Sequence, residues 1–461
     1  MPLVLETVFT EGLAQLSYLV GDRKAGVAAV VDPRRDVDVY IELARRHEVR
    51  IAYAIETHIH ADFASGVREL ADRSGAEIIG GAGSDYGFEI RKVDDNEVLA
   101  LGDVQLRVRR TPGHTPEHVC LLIHDAQQGE EPFGLLTGDT LFNLDVGRPD
   151  LIGENRERQL AGQLYESLFD VILPLGDRME VFPCHGAGSA CGKAIGDRLH
   201  STVGNERLYN PALKRRRREE FIDWLLEDLP EPPRHYARLK KLNAAGVPIC
   251  GLPRPLRPLS PAELMNQAKA DAVVIDTRSI LAFGGGHVPG ALNIALRDEF
   301  ASWAGWMIPD DKPVHLVGEG PAEIRQAALH LFRIGLDHVE GYLHGGMTAW
   351  QNAALPLTRT PQWTVHELDA RRRDSKVTVL DVRGPEEVAK GKVPGSRHVF
   401  VPHLASHLGE LDRSTTIAVY CGSGYRASIA ASILQAHGFD DVVNVPGSWT
   451  AWRAAGLPTE V

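Results

Sequence analysis

The sequence predicts an α/β chain in three parts: a larger N-terminal domain over residues 1–245, then two smaller domains over 258–358 and 362–461. Three observations carry that reading. First, short apolar runs bounded by turn residues recur through the first part. Examples are Gly26-Val27-Ala28-Ala29-Val30-Val31 before Asp32-Pro33, and Ile51 to Ile55 before Glu56-Thr57-His58. Runs of that length suit buried strands, and helical patterns fall between them at Val37 to Arg46 and Val67 to Arg73. Second, Pro-rich stretches punctuate the chain. Pro230-Glu231-Pro232-Pro233 and Pro253-Arg254-Pro255-Leu256-Arg257-Pro258 read as a semi-rigid linker, and a second junction spans Pro356 to Trp363.

The third observation is a repeat of about 100 residues. Its first copy holds Val273-Val274-Ile275-Asp276-Thr277-Arg278, then Gly286-His287-Val288-Pro289-Gly290-Ala291, and ends Gly345-Gly346-Met347-Thr348-Ala349-Trp350. Its second holds Val377-Thr378-Val379-Leu380-Asp381-Val382-Arg383, then Gly391-Lys392-Val393-Pro394-Gly395-Ser396, and ends Gly447-Ser448-Trp449-Thr450-Ala451-Trp452. Co-linear matches at three places argue duplication of one folding unit.

Composition sets the remaining bounds. A length of 461 residues suits three domains, and 43% hydrophobic with 24% charged residues is the balance of a folded chain. A net charge of −12 argues against a general nucleic-acid binder, which needs a basic surface to displace counterions. The run Lys214-Arg215-Arg216-Arg217-Arg218 runs straight into Glu219 and Glu220 and reads as a solvated helix face. Five cysteines are too few for a disulfide framework. The N-terminus lacks a signal-peptide pattern, and no apolar run is long enough to span a bilayer. The expectation is a cytoplasmic chain with neither nucleic acid nor membrane as partner.

The N-terminal part carries an ordered set of metal-ligand residue types. Thr57-His58-Ile59-His60-Ala61-Asp62 follows a strand-like run. His114 then lies in Thr111-Pro112-Gly113-His114-Thr115-Pro116, Asp139 in Thr137-Gly138-Asp139-Thr140, and His185 in Phe182-Pro183-Cys184-His185-Gly186. Alternate residues on a loop at a strand end can converge on one ion. With that set in view, the region resembles the metallo-β-lactamase superfamily, an αββα sandwich with its metal at the strand ends. Two-metal hydrolases of that superfamily usually continue the first motif with a further histidine, where this chain has Phe63. A phenyl ring cannot ligate, which weakens a binuclear zinc site. Two histidines and one carboxylate leave open positions, as in non-haem Fe(II) enzymes that activate O2.

The domain resembles the persulfide dioxygenases most. That resemblance implies Fe(II), one per chain, on His58, His114 and Asp139, with His60, Asp62 and His185 supporting the ligands from behind. It implies a low-molecular-weight thiol persulfide and O2 as substrates, and a homo-oligomer. Gly147-Arg148 matches the family's Gly-Arg, and Arg148 is expected to bind an anionic group of the substrate thiol. Cys191, six residues after His185, is a candidate sulfur relay. Cys120 and Cys184 read as core residues.

In the second copy of the repeat, Ile417-Ala418-Val419-Tyr420 leads into Cys421-Gly422-Ser423-Gly424-Tyr425-Arg426 and then a helical pattern. A strand, a loop and a helix start make a good cradle for a thiolate. Cys-x-x-x-x-Arg in that setting resembles the rhodanese active loop, making Cys421 the nucleophile and Arg426 its cationic partner. In the first copy Val317 takes the cysteine's position, with Gly318 against Gly422 and Gly320 against Gly424. That copy is expected to be an inactive rhodanese-like domain.

Together these readings predict persulfide oxidation to sulfite coupled to a sulfurtransferase that makes or consumes thiosulfate, as in sulfide detoxification. Two rivals remain open: a glyoxalase II-like thioester hydrolase joined to a sulfurtransferase, and a sulfur-responsive binding protein without turnover.

Overall fold

The computed structural model describes residues 3–153, 155–251 and 255–461. The chain divides into two compact units, Met1–Pro253 with Phe332–Gly335, and Arg254–Leu331 with Leu336–Val461.

The first unit is built on two six-stranded sheets. One runs in the order Leu3–Thr10, Gln15–Asp22, Val27–Val31, Arg50–Ile55, Glu77–Gly81, Arg91–Val93. Its first three strands are antiparallel and the rest parallel. The other runs Ser201–Thr202, Glu180–Pro183, Gly134–Gly138, Val119–Asp125, Val104–Arg110, Val98–Leu101. Alternation along each strand decides what lies between the sheets. Leu16, Tyr18 and Val20 share one core with Leu106, Val108, Leu121 and Ile123. Leu19, Ala28 and Val30 point the other way, onto the helices Asp38–His47 and Val67–Ser74. Cys120, Leu122 and Leu135 point onto Glu157–Glu166 and Arg218–Leu226. The result is the expected αββα sandwich, with Cys120 in the core. Among the described residues, no helix is long and apolar enough to cross a membrane.

The second unit holds the two copies of the repeat, each around its own parallel sheet. The first sheet runs Arg257–Leu259, Val339–Leu343, Val314–Val317, Val273–Asp276, Leu292–Asn293. The second runs Arg397–His398, Val377–Asp381, Thr416–Tyr420, Val442–Asn444. Duplication shows in matched side-chain bonds. The first helix of each copy starts with a capping box, Ser260 with Glu263 and Thr364 with Glu367. Each Asp-x-Arg closes on itself and on a glycine carbonyl: Arg278 on Asp276 and Gly286, Arg383 on Asp381 and Gly391. Each closing tryptophan donates to a proline carbonyl six residues on, Trp350 to Pro356 and Trp452 to Pro458.

Strand register corrects one alignment. Asp276 pairs with Val317, whereas Asp381 pairs with Tyr420. Val317 therefore matches Tyr420, and Gly318 stands at the cysteine's position. Beyond the strands, Ile324 N–H bonds Gly320 O as Ser428 N–H bonds Gly424 O, so those two glycines still correspond. Three residues, Gly318–Gly320, separate strand from helix in the first copy; four, Cys421–Gly424, do so in the second. The first loop is one residue shorter, and an ungapped match anchored on its glycines slips by one. Gly318 is as unable as valine to act as a nucleophile.

Candidate metal centre and sulfur-transfer loop

The loop after Arg50–Ile55 brings His58, His60 and Asp62 to the sheet end, where the loops carrying His114, Asp139 and His185 also emerge. His58, His114 and Asp139 present ligand atoms that all lie within 4.8 Å of one another, and all three are buried. His114 Nε2 is 3.4 Å and His58 Nε2 3.8 Å from Asp139 Oδ2. The free atoms define the chemistry. His58 Nε2 and both Asp139 carboxylate oxygens are buried without a hydrogen-bond partner. Leaving such groups unpaired is costly, so a divalent cation fits this set. Burial depresses His58, and it carries His114 down to about 3, so both imidazoles keep free lone pairs. Burial pushes Asp139 up to about 6.

Each ligand is aimed from behind. His58 Nδ1 lies 2.9 Å from Thr57 Oγ1, which donates to Asp32 at 2.9 Å. His114 Nδ1 donates to the Arg148 carbonyl at 2.8 Å. The N–H of Asp139 donates to His118 Nε2 at 2.9 Å. Gly147 lies so close to Asp139 that a Cβ there would sit 1.9 Å from the Asp139 carbonyl oxygen.

The supporting residues divide into two groups. His60 stands outside the three-ligand set: its Nε2 is held by Asp32 at 3.1 Å and Glu56 at 3.0 Å. Its ring lies against His58, with centroids 4.2 Å apart. Asp62 and His185 form the second group, 3.3 Å apart, and His185 Nε2 is 3.6 Å from Asp139 Oδ1. Cys191 joins Asp62 and His185 in one buried cluster. Burial, then the carboxylates of Asp62 and Asp139, push its thiol well up. Phe63 is fully buried against His60, at 4.4 Å between centroids.

Arg148 departs from expectation. Its guanidinium is buried and committed to Asp150 at 2.7 Å through two nitrogens, and to the carbonyls of Ala190 and Pro230. Four of its five guanidinium N–H groups are thus used inside the protein, which argues against a role as anion anchor for a substrate. It fastens the Cys191 loop to the loop whose carbonyl aims His114.

Sequence reasoning passed over Asp32, Glu56, His118 and Asn243. Asn243 Nδ2 donates to the carbonyls of His60 and Phe63, and its Oδ1 accepts from Ser65 N–H, clamping the ligand loop from the helix Arg234–Ala245. Asp32-Pro33 stood in the sequence only as a turn.

In the second unit, Cys421 sits between strand and helix as expected, buried to 1% exposure. The N–H of Gly424 points at its Sγ at 3.1 Å, and Cys421 N–H donates to Ser448 Oγ at 3.0 Å. Gly424 has φ +106°, and a Cβ there would meet the Pro446 Cα at 3.0 Å. Arg426 lies in the first turn of Tyr425–Ala436, its guanidinium 6.0 Å from the Trp303 ring.

Comparisons agree with this architecture. The Metallo-beta-lactamase superfamily profile matches residues 10–185, and the Rhodanese-like domain profile matches 260–353 and 364–455. A solved metallo-beta-lactamase from Staphylococcus aureus subsp. aureus COL is 34% identical, with a TM-score of 0.68, over 74% of this chain and 99% of that one. The chain belongs to the metallo-β-lactamase superfamily and carries two rhodanese-like domains. Within that superfamily, its N-terminal half is similar to the persulfide dioxygenase ETHE1 of Bos taurus, 29% identical over 50% of this chain and 84% of that protein. It is also similar to the hydroxyacylglutathione hydrolase of Dictyostelium discoideum, 33% identical over 42% of this chain and 70% of that protein.

Proposed function

We propose that the N-terminal domain is a mononuclear iron persulfide dioxygenase and that the last rhodanese-like domain is its partner sulfurtransferase. The observation that carries this reading is the set of three converging donors, His58, His114 and Asp139, in a chain that has Phe63 at the position of the further histidine of a second site. Fe(II) held there would supply O2 activation next to a bound persulfide sulfur. The chain's own groups do the rest. Thr57 and the Arg148 carbonyl hold the two imidazoles in ligand orientation. His60 is withdrawn onto Asp32 and Glu56. Asp62 and His185, with carboxylate and imidazole atoms free, hold water and protons beside Asp139. The net reaction is RSSH + O2 + H2O giving RSH, sulfite and two protons. Cys421 then exchanges sulfane sulfur with a thiol or with sulfite.

The test is oxygen uptake by the Fe(II)-loaded full chain with a defined thiol persulfide, with sulfite quantified. Uptake matched by sulfite, and lost in His114→Ala, is the expected result. No uptake by folded, iron-loaded protein across several persulfides overturns it. The similarity to a hydroxyacylglutathione hydrolase favours a second reading, thioester hydrolysis. Hydrolysis of an acyl-glutathione by zinc-loaded protein would bring that reading forward, and Phe63 argues against it.

A further inference from the structure

The cation of the sulfur-transfer loop is already neutralised. Arg426 Nη2 donates to Glu387 Oε1 at 2.8 Å, and Nη1 donates to Glu387 Oε2. This is a bidentate pair, the strongest way a carboxylate engages a guanidinium. It is largely shielded, with 19% of the Arg426 side chain and 33% of the Glu387 side chain exposed. Two further arginines near the loop are also engaged. Arg383 is closed on Asp381, and Arg297, stacked on Tyr425, is closed on Glu299. The approach to Cys421 therefore offers no uncompensated positive charge on Arg426, Arg383 or Arg297.

Helix capping alone does not explain Glu387. Its carboxylate does accept from Gly384 N–H at 3.1 Å, at the start of Pro385–Val388. The first copy caps the same helix differently, with Ser279 Oγ accepting from Ala282 N–H at 3.2 Å. Counting from the shared Asp-x-Arg, Ala282 stands where Glu387 does; counting from the shared loop glycine, Ala322 stands where Arg426 does. Both partners of the pair are missing from the copy that lacks the cysteine. Within this chain the ion pair is present in the copy that has the cysteine and absent from the copy that lacks it.

We propose that Glu387 sets donor specificity at the Cys421 loop. By occupying Arg426 it disfavours dianionic donors such as thiosulfate and leaves the loop to thiol persulfides, whose sulfane sulfur carries at most one charge. The inference rests on Cys421 being the sulfurtransferase nucleophile. With a persulfide, the Cys421 thiolate attacks the outer sulfur of RSSH, the S–S bond breaks, and RS− leaves as the cysteine persulfide forms. With thiosulfate, the same attack expels sulfite, and the dianion must enter beside the Glu387 carboxylate. Sulfane sulfur keeps its oxidation state in both cases, so no external oxidant is needed. Glu387 acts through Arg426 and is a positioning residue.

The experiment measures kcat and KM of the full chain with thiosulfate and, separately, with glutathione persulfide, each with cyanide as acceptor. Variants are Glu387→Gln, Glu387→Asp and Cys421→Ser. Gln keeps an oxygen for the Gly384 cap and releases the charge on Arg426. In Glu387→Gln the thiosulfate KM is expected to fall tenfold or more, while the persulfide KM changes less than threefold. Glu387→Asp, which retains the charge, should stay near the parent ratio. Equal shifts for both donors, or an unchanged thiosulfate KM, overturn the proposal. Cys421→Ser separates the two failures: if it leaves transfer intact, the nucleophile assignment itself is wrong. If Glu387→Gln does not fold, Glu387→Asp with the salt dependence of the thiosulfate KM decides. A KM that falls as salt rises fits repulsion of a dianion, and one that rises fits an uncompensated cation.

Discussion

The Nδ1–H of His114 donates to the main-chain carbonyl of Arg148 at 2.8 Å, turning Nε2 toward Asp139. The orientation of one ligand therefore depends on where the Arg148 backbone lies. That backbone is fixed by a buried guanidinium holding Asp150, Ala190 and Pro230. Arg148→Met keeps the carbonyl but frees the backbone that carries it, so metal affinity should fall, at most by the roughly 10–100-fold that outright loss of an orienting partner costs. Metal titration of the stripped protein checks it. A variant with intact metal affinity and only a raised persulfide KM would restore Arg148 as a substrate anchor.

Phe63 is fully buried against His60 and stands at the chain position, next to Asp62, where two-metal hydrolases carry a further histidine. The parent chain should bind one metal ion tightly per polypeptide. Phe63→His should raise the stoichiometry toward two, read by elemental analysis after dialysis. A parent that already retains two ions would remove the mononuclear reading.

The sites were legible in the sequence to different depths. His58, His114 and Asp139 lie on three separate loops, yet each carries its own short motif, so their convergence was readable. The partners of Arg148 were not legible, because a sequence shows a guanidinium but not what surrounds it. Its burial beside Asp150 appears only in the fold. Asn243 and Glu387 were invisible for a related reason. Asn243 reaches its loop from about 180 residues away, and Glu387 meets Arg426 from 39 away. The Val317 alignment failed because a one-residue deletion in a glycine-rich loop leaves no mark that spacing can detect, whereas strand pairing fixes it.

Gly424 adopts φ +106° and packs against Pro446. Gly424→Ala places a side chain in the left-handed region and against main-chain atoms, a strain of about 1–3 kcal/mol. A shift of the loop that relieves it also moves the N–H now aimed at Cys421 Sγ. Sulfur transfer should fall at least tenfold, with a modest loss of stability in the second unit. Full activity in this variant would show that the Gly424 amide is not needed to hold the sulfur.

His287 is expected to make the stability of the second unit depend on pH. Its ring stacks on Phe283, with centroids 3.7 Å apart and planes 9° apart, and Nδ1–H donates to the Phe283 carbonyl at 2.9 Å. Burial lowers its pKa to about 4 from an ordinary 6.5. Between those values the unfolded chain binds the proton and the folded chain does not. Stability from this group is therefore complete above pH 6.5 and is lost as pH falls toward 4, by up to about 3 kcal/mol. Six of the seven tryptophans lie beyond residue 300, so tryptophan fluorescence in a denaturant series follows this unit. In His287→Phe, which keeps an aromatic ring but cannot be protonated, the slope of stability against pH between 4 and 6.5 should flatten. The lost hydrogen bond should cost about 1 kcal/mol at every pH. An unchanged slope would mean that another group binds the proton on unfolding.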